Sequence, residues 1–235
     1  MILYVGLENG IEGRSLAWAL EHPGCFAYGC DATEALVAIV PVFVAYAAWV
    51  NRRGQPGWLP ERGDVDVRLV EVWEVYHLDE QYERVADGGY EVNAWFQHDW
   101  KPLTRLEVRR GLQLLAWSRA DLLECIQGLD AVALERTYPG ERWSIRGILE
   151  HVAGTEWWYL DRLELAGMPR AALPEDPLAR LAVVRQRLEA VLPQLEGVER
   201  VVGKRGEWWS PRKLLRRALW HERDHCAHIR RLIAT

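Results

Sequence analysis

Near its C-terminal end the chain places Leu214, Ala218, His221, His225, His228 and Leu232 at successive intervals of 4, 3, 4, 3 and 4 residues. That spacing is the inward seam of an α-helix, so the last helix buries three imidazoles and its neighbours must accommodate them. At roughly 100° per residue, His225 and His228 lie about 40° and 20° from His221, on opposite sides. One core imidazole is tolerable if both ring nitrogens find partners, but each buried polar group without one costs about 1–3 kcal/mol. Three in a row need a shared solution.

The residues before this seam supply a helical frame. Thr104 and Glu107 form a capping box with Leu103 and Val108 as a hydrophobic staple, predicting a first helix over about 105–127. Ser144 caps a second helix that ends at Gly167, Asp176 and Pro177 open a third that ends near Gly197, and Ser210 and Pro211 open the fourth. Four such helices with short or moderate connections predict an all-α four-helix bundle over 102–235.

The N-terminal part has a different texture. Residues 2–8, 15–20 and 25–29 are short apolar runs separated by Gly-Ile-Glu-Gly and His-Pro-Gly, the punctuation of hairpin-connected strands. Asp31 caps a helix running to about Val50, a Pro/Gly-rich connection follows from Gln55 to Gly63, and residues 65–76 read as a further strand. The order βββαβ predicts a small α+β domain over 1–80, with 81–101 as a linker. Charge divides the chain the same way: residues 1–100 hold 16 acidic and 6 basic groups, and the rest hold 18 and 23.

Composition removes several function classes. With 49% hydrophobic and 27% charged residues the chain can bury a core, which excludes disorder. The arginines of the basic half are interleaved with Asp and Glu, without the concentrated stripe of a nucleic-acid surface, so no nucleic-acid partner is expected. Ala35 to Val50 is uncharged but contains Pro41 and falls short of the roughly 18 residues of a membrane span. It predicts a buried helix and no membrane association. Cys25, Cys30, Cys125 and Cys226 make no disulfide framework, and the N-terminus has no basic-then-apolar signal segment, pointing to free thiols in a reducing cytoplasm. The 13 tryptophans, Trp117, Trp143, Trp157 and Trp220 among them, are expected mostly as core fillers.

A divalent metal answers the imidazole problem, because neutral histidine is the commonest nitrogen ligand and an i, i+4 pair on one helix face binds a single ion. His221 and His225 form that pair; His228 is expected as a core or second-sphere group. The string His221-Glu222-Arg223-Asp224-His225 also matches the H-E-x-x-H pattern, in which Glu is the general base of a metalloprotease. Glu222 lies about 100° off the seam, and no downstream ligand of the usual kind follows, so protease is a minor alternative. On the second helix His151 shares a stripe with Ile148, Thr155 and Trp158 and is the candidate third ligand. Glu156 and Asp224 are weak candidates for proton transfer or for holding a ligand imidazole, against solvated helix faces paired with nearby arginines. Cys226 reads as a buried inert thiol.

Two resemblances follow from these residues. The N-terminal 80 residues resemble a HicB-type domain, through Glu21-His22-Pro23-Gly24-Cys25-Phe26-Ala27-Tyr28-Gly29 and the helix opened by Asp31-Ala32-Thr33-Glu34-Ala35. HicB-like domains occur in antitoxins that cover an RNase toxin, which implies a protein partner for this part. Residues 102–234 resemble the DinB/YfiT-like superfamily, through Trp143-Ser144-Ile145-Arg146-Gly147-Ile148-Leu149-Glu150-His151 and Leu219-Trp220-His221-Glu222-Arg223-Asp224-His225. That resemblance implies a four-helix bundle, one divalent ion held by His151, His221 and His225, open coordination positions and frequent dimers. It also implies a small-molecule substrate, with transfer of a low-molecular-weight thiol or hydrolysis as the reaction. Imidazole suits zinc, nickel and iron alike; zinc is the first expectation. The alternative is an interaction protein whose metal is structural, in which His228 closes the site as a fourth ligand.

Overall fold

The computed structural model describes residues 1–54, 57–60, 63–86 and 88–234. It separates into two compact units, Met1–Lys101 with Val201–Lys213, and Pro102–Arg200 with Leu214–Thr235. Of the expected connection from Gln55 to Gly63, residues 55, 56, 61 and 62 lie outside the described residues.

The first unit is built on strands β1 (Ile2–Ile11), β2 (Arg14–Ala19), β3 (Phe26–Gly29) and β4 (Asp66–Glu74) with helix α1 (Ala32–Arg53) between β3 and β4. The sheet order is β3-β2-β1-β4, with β1 antiparallel to β2 and parallel to β4. On β1 the period-2 set Leu3, Val5 and Leu7 is buried. It faces the same core as the 3.6-period face of α1, formed by Ala35, Ile39, Phe43, Tyr46 and Val50. Asp31 caps α1 by accepting from the Glu34 amide at 2.8 Å. At Gly29 a Cβ would stand 2.2 Å from the Ala35 nitrogen, so the β3-to-α1 corner requires glycine.

Residues 81–101 are not a bare linker. They hold β6 (Arg84–Val85), β7 (Tyr90–Val92) and a 3-10 turn over Gln97–Trp100, and with β5 (Tyr76–Leu78) they make a sheet of order β6-β5-β7. The hairpin β8 (Val202–Lys204) and β9 (Glu207–Trp209) belongs to the same unit. Strands of two or three residues carry no readable period, which is why the sequence reads as loop there. What holds them is polar: buried Lys213 donates to Glu207 Oε1 at 2.6 Å and to the Trp208 carbonyl at 3.0 Å, and the Tyr90 hydroxyl donates to the other Glu207 oxygen. The tryptophans divide: Trp18 and Trp209 are fully buried, whereas Trp100 and Trp208 are more than half exposed and fill no core.

The second unit is helical: α2 (Arg105–Cys125), the short α3 (Ala131–Glu135), α4 (Ile145–Arg162), α5 (Pro177–Val191) and most of α6 (Pro211–Ile233). The expected starts hold, with Thr104 and Glu107 capping α2 reciprocally and the side chains of Ser144 and Asp176 accepting from Gly147 and Ala179 amides. The ends come earlier than expected. Helix α4 stops at Arg162, five residues before Gly167, because Glu164 adopts a left-handed conformation (φ 59°), and α5 gives way to a 3-10 turn over Leu192–Leu195. Leu122 of α2, Ile148 and Val152 of α4, Leu181 of α5 and Ile229 of α6 share one core. Each such side chain contributes about 1.5–3 kcal/mol by burial.

Candidate metal centre

Helix α4 presents His151 and helix α6 presents His221 and His225 to the same point. His221 Nε2 lies 3.0 Å from His151 Nε2 and 3.1 Å from His225 Nε2, and the three ligand atoms all fall within 4.8 Å of one another. A neutral imidazole carries one N–H, so the nitrogen of His221 cannot satisfy both neighbours with a single proton. Two nitrogens bound to one ion at 2.0–2.1 Å are separated by about 2.8–3.4 Å at coordination angles near 90–110°. The two observed separations fit that donor set.

The electrostatics favour ligands that carry no proton. Burial, the neighbouring His225 and His151, and then Arg217 hold the His221 pKa well below its ordinary value. Burial and the adjacent His151 and His228 bring His225 down to about 3. Both rings are neutral near pH 7, the state in which imidazole coordinates. Aromatic walls fix them: the Trp143 ring stacks on His151 with centroids 4.5 Å apart, and Tyr159 meets His221 edge-on at 6.0 Å. His225 Nδ1 is the unbraced atom of the set, buried without a hydrogen-bond partner.

The other candidates fall outside this cluster. His228 Nε2 is 2.9 Å from a carboxylate oxygen of Glu141, and its ring is 6.1 Å from that of His225. It is turned to that carboxylate rather than to the three nitrogens. Asp224 is half-buried on the turn of α6 between His221 and His225.

Glu156 and Glu222 have a different task. Arg119 donates to Glu222 at 2.6 Å and to Glu156 at 3.0 Å; Arg185 donates to Glu156 at 2.8 Å through two nitrogens and to Glu222 at 3.0 Å. Nη1 of Arg119 donates to the Leu181 carbonyl and Nη1 of Arg185 to the Leu115 carbonyl. Each of α2, α4, α5 and α6 thus contributes one charge to a buried, electrically neutral quartet. Burial alone would raise the Glu222 carboxyl, but Arg185 and Arg119 outweigh it and hold it below its ordinary value. The expectation that Glu156 lies on a solvated face or at the site is corrected: it is 3% exposed and bound to two arginines. The quartet escaped the sequence reading although a signal was present. Arg119 interrupts Leu115 and Leu122, Glu156 interrupts Val152 and Tyr159, and Arg185 interrupts Leu181 and Leu188, each at offsets of 4 and 3 in a buried stripe. Helix α6 has a second seam, Leu215, Leu219, Glu222, Cys226 and Ile229, which carries the fourth charge inward about 100° from the histidines.

Comparison with known families gives one finding that bears on this geometry. The model of the DinB superfamily matches residues 114–229, a segment that contains His151, His221 and His225 and all four charges of the quartet. That segment is similar to DinB superfamily domains. The HicB likeness of residues 1–80 has no matching family model. No curated protein matches the chain.

Proposed function

We propose that the chain holds one divalent metal ion through His151, His221 and His225 in a DinB-type four-helix bundle and acts as a metal-dependent enzyme on a small electrophilic molecule, by thiol transfer or hydrolysis. The observation that carries the proposal is the convergence of three imidazole nitrogens, His221 Nε2 lying 3.0 Å from His151 Nε2 and 3.1 Å from His225 Nε2. A bound ion would supply Lewis acidity, lowering the pKa of a water or thiol that it holds. Zinc suits the donor set, and nickel and iron suit it as well.

The chain's own residues divide the remaining work. Three uncharged ligands leave the ion its full charge, and His228, engaged with Glu141, does not close the site as a fourth ligand. That favours an open site over a structural one. Trp143 and Tyr159 orient His151 and His221, and the quartet locks the register of α4 against α6, on which the distances between the imidazoles depend. Glu222 is buried and committed to two guanidiniums, which removes support from the metalloprotease alternative. Four free cysteines accord with a reducing cytoplasm. The N-terminal unit is read as an accessory module that meets a protein partner.

The test is spectroscopic. Cobalt-substituted protein titrated with a panel of low-molecular-weight thiols should change its visible absorption with at least one of them. A spectrum unmoved by every thiol, together with a change on adding a hydrolysable electrophile, would leave hydrolysis and remove thiol transfer.

A further inference from the structure

Helix α1 has two apolar faces, and the fold of its own unit covers one. The buried face carries Ala35, Ile39, Phe43, Tyr46 and Val50. On the opposite side Val37, Pro41, Val44 and Ala48, spaced 4, 3 and 4, are all exposed, Val37 by 69% and Val44 by 53%. No charged residue occurs between Ala35 and Val50. A helix face left to water is ordinarily charged or polar, and one that is apolar all round is covered by something. The charges lie only at the ends and have opposite sign: Asp31 and Glu34 at the start of α1, Arg52 and Arg53 in its last turn, all exposed.

We infer that this face of α1 packs against the same face of a second copy of the chain, the two helices antiparallel about a two-fold axis near residues 42 and 43. Charge complementarity selects that occupant. Glu34 and Arg52 are 18 residues apart, which is five turns, so both flank the apolar stripe on one side. Antiparallel packing that sets Val37 against Ala48 of the partner subunit, and Pro41 against Val44 of the partner subunit, brings Glu34 beside Arg52 of the partner subunit, twice by symmetry. A parallel pair would oppose like charges at both ends. Small Ala45 and Ala48 let the axes approach at the close end of the roughly 8–10 Å range of packed helices. By length and composition α1 also passes as a membrane span, mean hydropathy 1.8. A lipid surface draws cationic flanks, however, and here one end of the stripe is acidic. An isologous contact of this kind closes on itself and leaves no sticky surface behind.

Sedimentation of the full chain over a concentration series tests the inference, with circular dichroism to verify the fold of each variant. The wild type should be a dimer. Val44→Glu, at an exposed position where the fold tolerates charge, should raise the dissociation constant by about 100-fold or more, because two carboxylates then meet near the axis. Arg52→Glu should raise it by about tenfold, and adding Glu34→Arg to that variant should restore it. A chain that stays monomeric at every concentration overturns the inference, as does a dimer indifferent to Val44→Glu. So does a monomer that binds neutral or anionic lipid vesicles and loses that binding with Val44→Glu, since a membrane would then be the cover.

Discussion

Replacing Glu222 by glutamine removes one of four buried charges and leaves the shape of the side chain unchanged. In the wild type this carboxylate, 1% exposed, accepts from Arg119 at 2.6 Å and from Arg185 at 3.0 Å. Glutamine keeps one acceptor oxygen and turns an NH2 group toward guanidinium hydrogens, so donors face donors and two arginines share the single carboxylate of Glu156. Breaking one partner of a buried ionic set costs about 3–5 kcal/mol. Set against a total of about 5–15 kcal/mol for a domain, and about 2–4 °C of melting temperature per kcal/mol for a chain of this length, the variant should melt about 6–20 °C lower by circular dichroism. The gap should depend on pH. Because Glu222 is held below its ordinary value of 4.5 in the folded state, its contribution is present in full above that value and is lost as pH falls through the depressed one. Wild type and variant should therefore converge in acid. A Glu222→Gln protein that melts with the wild type while losing activity would refute the reasoning and return Glu222 to the site as a reacting group.

The metal-free protein should lose stability as pH drops below about 6.5, by up to about 1.4 kcal/mol per pH unit for each imidazole, because the unfolded chain protonates His221 and His225 where the folded one does not. Denaturant melts at pH 7 and pH 5 measure it; equal midpoints would contradict the neutral, buried rings. Gly29→Ala should destabilise the N-terminal sheet by more than about 3 kcal/mol, since its Cβ meets the backbone nitrogen of Ala35 at 2.2 Å and backbone does not give way as a side chain does. A soluble variant with wild-type unfolding would show that the corner relaxes.

The legibility of the chain followed the length of its signals. Helices of fifteen residues or more announce themselves through caps and stripes, so the start of α2 at Thr104 and the joint inward aim of His151, His221 and His225 were readable. The pairs β5–β7 and β8–β9 were not, because what holds them is polar: Lys213 reaches Glu207 six residues away, and Glu207 in turn accepts from Tyr90, 117 positions away in sequence. Glu222 shows a subtler failure. Its string, with histidines on either side, suggested catalytic chemistry, whereas its depth on the Leu215 to Ile229 seam gives it to Arg119 and Arg185. A charge inside an apolar stripe is the legible sign of such a network, but its partners become known only when all four helices are placed. His228 shared the seam of its neighbours and was set apart from the ligand pair in the sequence, but its partner, Glu141 at 2.9 Å, was not legible there.

Elemental analysis of untagged protein tests the central claim most directly. The wild type should carry about one divalent ion per chain, His151→Ala and His221→Ala should lose it almost completely, and His228→Ala should retain it. Full metal occupancy surviving both His151→Ala and His221→Ala, in protein that is otherwise folded, would contradict that claim.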